Sequence, residues 1–196
     1  MALAEEDFMD QERVSRLDSA EAAKIAEDLG LPIALAELNI FRVLLRNPPV
    51  AKAAADLLLS LLFRSSLDHR LRELVIMRLG WATASAYEWT QHWRIALDQF
   101  GCSEQDLLAL RDWENADHFG EAEKTVLAAT DETLATGTLS AASWERCRSH
   151  VGDEVACMEL VASIATWRWI SQLTRSLEIP LEEGVDAWPP DGRVPK

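Results

Sequence analysis

The feature that most restricts this chain is where proline is absent. Of its seven prolines, Pro32, Pro48 and Pro49 lie early and Pro180, Pro189, Pro190 and Pro195 lie late; none falls between Val50 and Ile179. Proline breaks a helix interior because it lacks an amide hydrogen and clashes with the preceding turn. A long proline-free run rich in Ala, Leu, Glu and Arg therefore reads as consecutive helices. Runs of alternating β-branched residues are scarce, so the expected fold is all-α. The length of 196 residues suits one domain. The reading places a flexible N-terminal segment at 1–17, the helical domain at 18–179 and an extended tail at 180–196, with Trp188 able to pin the tail to the body.

Punctuation sets the helix boundaries. "DSAE" opens a helix that Gly30 stops, and "LAELNIFRVLLR" predicts a second. "NPP" breaks the chain and offers a proline as a first helical residue. "SSLD" restarts it ahead of "LRELVIMRLGWA", and Ser85 opens the next helix, which ends before Gly101. "SEQD" at Ser103 has the form of a capping box. Gly137 closes "EAEKTVLAATDETLAT", Ser140 caps "AASWERCRSH", and a long helix runs from Asp153 to about Leu177.

Charge and cysteine content narrow the function. Formal net charge is −14 and the pI is about 4.7, a balance that repels phosphate backbones and anionic lipid surfaces. Neither nucleic acid nor membrane is an expected partner; a small-molecule substrate is. The acidic N-terminus "MALAEEDFMD" lacks a basic, then apolar, leader pattern, so the cytoplasm is the expected location. The three cysteines, Cys102, Cys147 and Cys157, form neither a CxxC nor a zinc-type spacing.

The stretch "SAYEWTQH", Ser85 to His92, holds the densest chemistry. Ser85 and Glu88 have capping-box spacing, a purely structural role. His92 follows Glu88 by four residues, so both occupy one helical face. Unlike His69, His118 and His150, which sit at boundaries or in loops, His92 lies mid-helix among Trp89, Trp93 and Ile95. A carboxylate one turn away orients an imidazole and stabilises its cation, the logic of general acid–base pairs. Glu73, on the preceding apolar helix, is a further candidate, with an ion pair to Arg70, Arg72 or Arg78 as its structural alternative. Eight tryptophans against one tyrosine point to core or interface anchors, some of them able to wall an apolar pocket.

The segment from Leu67 to Leu110, "LDHRLRELVIMRLGWATASAYEWTQHWRIALDQFGCSEQDLLAL", resembles the carboxymuconolactone decarboxylase family, which includes the alkylhydroperoxidase D-like proteins. The resemblance implies a helical bundle of the alkylhydroperoxidase D type that assembles as a homo-oligomer: dimer, trimer or hexamer. It also implies a proton relay. In the family's peroxidase branch a glutamate and a histidine flank a CxxC; these positions fall on Glu73 and His92, while the two thiol positions hold Ser85 and Glu88. Without the thiols, the peroxidase chemistry loses its nucleophile, and the resemblance points to the acid–base, decarboxylase side. The implied roles are His92 as proton donor, Glu88 orienting it, and Glu73 setting its protonation. Ser85, Trp81, Trp89, Arg78 and Arg94 would contact substrate, the arginines holding an anion. No metal or organic cofactor is expected. The alternatives are a non-catalytic oligomeric binding protein and a peroxidase-type antioxidant.

Overall fold

A computed structural model describes residues 12–195. Within them all regular structure is helical: α1 (Ser19–Asp28), α2 (Ile33–Glu37), α3 (Asn39–Leu44), α4 (Pro48–Phe63), α5 (His69–Ala82), α6 (Ala86–Gln99), α7 (Glu104–Ala109), α8 (Glu121–Thr136), α9 (Ala141–His150) and α10 (Glu154–Ser176), with a 3₁₀ turn at Leu110–Asn115. The expected caps are in place. The side chains of Asp18, Asp68, Ser103, Ser140 and Asp153 each accept from an amide of the first turn, and Pro48 begins α4. Gly137 ends α8 with a positive φ, the left-handed conformation that glycine adopts without a Cβ penalty. No described helix is long and apolar enough to cross a membrane.

The expected helix over "LAELNIFRVLLR" is two helices. Leu38 is extended (φ −78°, ψ 130°), and the chain restarts at Asn39. The restart has a distant cause: Glu182 Oε1 accepts the Asn39 amide at 2.8 Å, and the Asn39 side chain donates to the carbonyls of Pro180 and Leu181. No local signal carries that contact.

Helix α5 is the axle of the fold. It packs on α6, α8 and α10, and its residues from Leu71 to Met77 are all buried. A helix buried on every side carries no clean amphipathic stripe. Two apolar clusters form around it. One joins α5, α6, α8 and α10 through residues such as Leu74, Trp89, Leu127 and Trp167; the other joins α1 to α4 through Ala22, Phe41 and Ala55, with Tyr87 and Ile170 contributed from α6 and α10. The seam between them matters for the site.

The α5–α6 turn is tight. Ala84 takes a positive φ of 52°, costly for a residue with a Cβ, and Ser85 N–H donates back to Gly80 O at 2.8 Å. Gly80 lets the two helices close: a Cβ there would meet Trp89 N at 3.1 Å and Glu88 Cβ at 3.3 Å.

The chain ends outside the helices are tied down where they are described. Residues 1–11, most of the expected flexible segment, lie outside the described residues; Leu17 is buried and exchanges backbone and side-chain hydrogen bonds with Arg42. The tail has no regular structure but is a fastened strap rather than an extended appendage. Trp188 is buried, its amide donates to Thr90 Oγ1, Trp89 Nε1 donates to Pro189 O, and Arg111 makes a paired bond with Asp191.

Gly80→Ala should lower stability by about 1–3 kcal/mol through overpacking, and Gly80→Val by more, measured by urea unfolding. Trp188→Ala should cost about 3–5 kcal/mol in the same measurement.

Candidate active site

Glu73 is fully buried at the centre of α5 and bridges two partners. Its Oε1 accepts from Arg72 at 3.3 Å, and its Oε2 accepts from His92 Nδ1 at 2.9 Å. Of the three possible arginine partners, Arg72 is the one in place. Arg70 instead binds Asp106 and Glu123, and Arg78 binds Asp131. The Arg72 guanidinium is itself fully buried. It lies over the Phe100 ring at 4.5 Å and donates to His69 Nδ1 and Leu61 O, and burial lowers its pKa from the usual arginine value.

The second nitrogen of His92 is also engaged. Trp167, from α10, donates its indole N–H to His92 Nε2 at 3.1 Å, and the rings meet edge-on. This pattern assigns the neutral Nδ1–H tautomer: one nitrogen gives to Glu73 and the other receives from Trp167. Two influences act against each other here. Burial disfavours the imidazolium, but the Glu73 charge and hydrogen bond, reinforced by Glu88, outweigh it and raise the His92 pKa. A proton arriving at Nε2 would set donor against donor and must displace the indole.

Glu88 departs from the capping reading. Ser85 accepts the Glu88 amide, at a long 3.4 Å, but Glu88 returns nothing to the cap; the Ser85 amide is taken by Gly80. The Glu88 carboxyl is buried, and its Oε2 has no hydrogen-bond partner in the protein. Burial raises its pKa to about 7, the nearby His92 lowering and Glu73 raising it further. Glu73, not Glu88, therefore orients the imidazole.

Glu88 and His92 face an apolar cavity of about 260 Å³ in the seam between the two clusters. Leu38, Ile40 and Phe41 wall it on one side, Leu58, Leu62 and Phe63 of α4 on another, and Trp167 and Ile170 of α10 on a third. Helix α6 supplies Tyr87, Gln91, Ile95 and Gln99 beside Glu88 and His92.

The other expected substrate contacts lie elsewhere. Ser85 is fully buried as the α6 cap, beside Thr174. Trp81 and Trp89 pack edge-on and tilted against each other and Trp188, with the Arg111 guanidinium over the Trp81 and Trp89 rings. Arg78 is committed to Asp131 and to the carbonyl of Leu110, and the Arg94 side chain is 85% exposed, paired with Asp98 on the outer surface. None of the five lines the cavity. The residues missed from sequence are Tyr87, Gln91, Ile95 and Gln99, which share helical spacing with Glu88 and His92 and so carried a usable signal. Trp167 carried none, since it meets His92 only through the packing of α10.

The model of the carboxymuconolactone decarboxylase family matches residues 48–132, which contain Glu73, Glu88 and His92. Over that stretch the chain is similar to the carboxymuconolactone decarboxylase family. No curated protein matches it. Among solved structures it is similar in fold to the debrominase Bmp8 in complex with 2,3,4-tribromopyrrole, at 18% identity and a TM-score of 0.70, covering 89% of this chain and 94% of that one. It is similar also to a peroxidase-related protein from a Silicibacter species, at 14% identity and a TM-score of 0.68, covering 90% and 92%. A third likeness is to an alkylhydroperoxidase AhpD core protein from Ralstonia eutropha, at 17% identity and a TM-score of 0.65, covering 94% and 97%. At these identities the likeness is one of fold.

The Glu88 pKa fixes the sign of a pH effect. Its folded value, about 7, lies above the ordinary 4.5, so the folded state holds the extra proton between those values. Stability should therefore fall as pH rises from 4.5 through 7, by up to about 3 kcal/mol from this group. The raised His92 pKa acts in the same direction at higher pH. Glu88→Gln should flatten the lower part of this profile in thermal unfolding measured from pH 5 to pH 8.

Proposed function

We propose that this protein is an acid–base enzyme of the decarboxylase or lactone/isomerase type, with Glu88 as the group that exchanges a proton with a small organic substrate. The observation that carries the reading is the Glu88 carboxyl, buried without a protein partner at the wall of an apolar cavity. Burial tunes it to titrate near neutrality, where one group serves as both acid and base.

Glu88 and His92 form a coupled pair. Deprotonation of Glu88 favours protonation of His92 through charge, while the Arg72–Glu73 bridge fixes the imidazole in place. In an isomerisation, the Glu88 carboxylate takes a proton from a carbon next to a carbonyl, and the C–H electrons form an enolate. The same proton returns at a second carbon. In a decarboxylation, the electrons of the broken C–C bond form the enolate as carbon dioxide leaves, and the Glu88 carboxylic acid supplies the proton. Neither route requires a redox partner. The neighbour seen with 2,3,4-tribromopyrrole carries a small apolar ring on this fold, which supports a ligand of similar size here.

A binding protein is the second reading, favoured by one fact: both His92 nitrogens are already satisfied within the protein. Thiol peroxidation finds less support. Cys102, Cys147 and Cys157 are all buried, and burial pushes the first two up to about 12 and about 11.

The test is proton exchange into cyclic enones and unsaturated lactones in deuterated water, followed by NMR. Glu88→Gln should lower the rate by about 10²–10⁴, and His92→Ala should lower it and flatten the pH profile, with both variants still folded. Exchange by Glu88→Gln at the unaltered rate would overturn the assignment.

A further inference from the structure

The cavity carries a second message, about charge. No lysine or arginine lines it. Arg72, behind the wall, is paired with Glu73, and Arg70 and Arg78 of the same helix are paired with Asp106 and Glu123 and with Asp131. The groups that do stand at or behind the wall are two carboxyl groups, Glu88 and Glu73, and an imidazole whose lone pair is held by Trp167. Glu73 is bridged by Arg72 and His92, which leaves Glu88 as the carboxyl without a partner at the wall.

A carboxylate-bearing ligand would lose its hydration on entering such a cavity and find no cation to replace it. It would also face Glu88 at short range in a medium that screens poorly. An uncharged molecule suffers neither penalty. Its apolar ring would meet Phe41, Leu58, Leu62 and Ile170, and one oxygen would accept a hydrogen bond from the protonated Glu88 carboxyl. At about 260 Å³ the cavity is small beside the ~300–1,000 Å³ typical of ligand sites, which limits the ligand to one compact ring system.

We infer that the ligand of this site is an uncharged, compact, apolar carbonyl compound, such as an alkyl-substituted lactone or cyclic enone, bound through its oxygen to the Glu88 carboxyl, and that organic acids are excluded. This rests on the proposed role of Glu88 as the group that meets the ligand, and narrows it. A substrate without a carboxylate has no carbon dioxide to release, so of the two routes above the isomerisation remains.

The experiment uses the full chain and a matched pair of probes: an alkyl-substituted butenolide and the same ring bearing a carboxylate. Affinity is read by isothermal titration calorimetry, with quenching of tryptophan emission as a second signal, from pH 5.5 to pH 8.5. The neutral probe should bind at least 100-fold more tightly than the carboxylate at pH 7. Its affinity should fall towards tenfold per pH unit above the Glu88 titration, because ionised Glu88 no longer donates. Glu88→Gln, whose amide donates at every pH, should retain binding and lose the pH dependence. Equal or tighter binding of the carboxylate probe, a pH-independent wild type, or no binding of the neutral probe would each overturn the inference. Binding of the neutral probe with no proton exchange would overturn the enzyme reading and uphold the ligand class. Turnover of carboxylate substrates would do the reverse.

Discussion

The structure depends on a buried carboxylate having somewhere to put its charge. Glu73 sits fully buried in the middle of the central helix, where an unpaired carboxylate would cost several kcal/mol. It is tolerated because Arg72 and His92 meet its two oxygens from different directions. The consequences spread outward. Arg72 must be buried too, under Phe100, and His92 must turn its ring so that Nδ1 faces α5, which presents Nε2 to Trp167 on α10. One charge thus fixes the mutual orientation of α5, α6 and α10. Buried ion pairs contribute little net stability compared with well-packed apolar groups. What the arrangement does here is hold the His92 ring in one orientation beside the cavity.

Much of this was legible in sequence, for identifiable reasons. The absence of proline across the middle of the chain, with Asp, Ser and Gly at helix ends, specified the helices because capping is local chemistry. The Glu88–His92 pair was visible because helical spacing is local as well. What failed was everything set by contacts between distant segments. The break at Leu38 depends on Glu182, the hydrogen bond to His92 comes from Trp167, and the choice of Arg72 over Arg70 and Arg78 depends on where α7 and α8 place Asp106 and Asp131. The carboxylate bonded to His92 is Glu73 rather than Glu88 for the same reason. A residue four positions away on one helix looks like the natural partner of His92, yet the partner is on the neighbouring helix, and the near carboxyl is the one left open.

Tryptophan abundance proved to have two separate causes. Trp81, Trp89 and Trp188 build an aromatic cluster that the Arg111 guanidinium covers, and none of them lines the cavity. Trp167 meets His92 through its indole N–H rather than its apolar face. The cluster anchors the strap, and the Trp167 ring sets the tautomer. A count of aromatic residues could not separate a fastening from a chemical contact.

The strap carries a further consequence. Glu182 accepts from Tyr87 at 2.6 Å and from Gln91, both on the cavity wall, as well as from the start of α3. Residues 143 positions apart in sequence are thus joined at one carboxylate. Contacts of such separation are slow to form, because a long loop must close before they reward the chain. During synthesis the ten described helices emerge before this residue does. The cavity wall is therefore completed after the helices, and a bundle without Glu182 would hold the Glu73–His92 pair while leaving Tyr87 and Gln91 without their anchor. Placement of the buried charged groups and shaping of the chamber beside them are successive events, ordered by the direction in which the polypeptide is made.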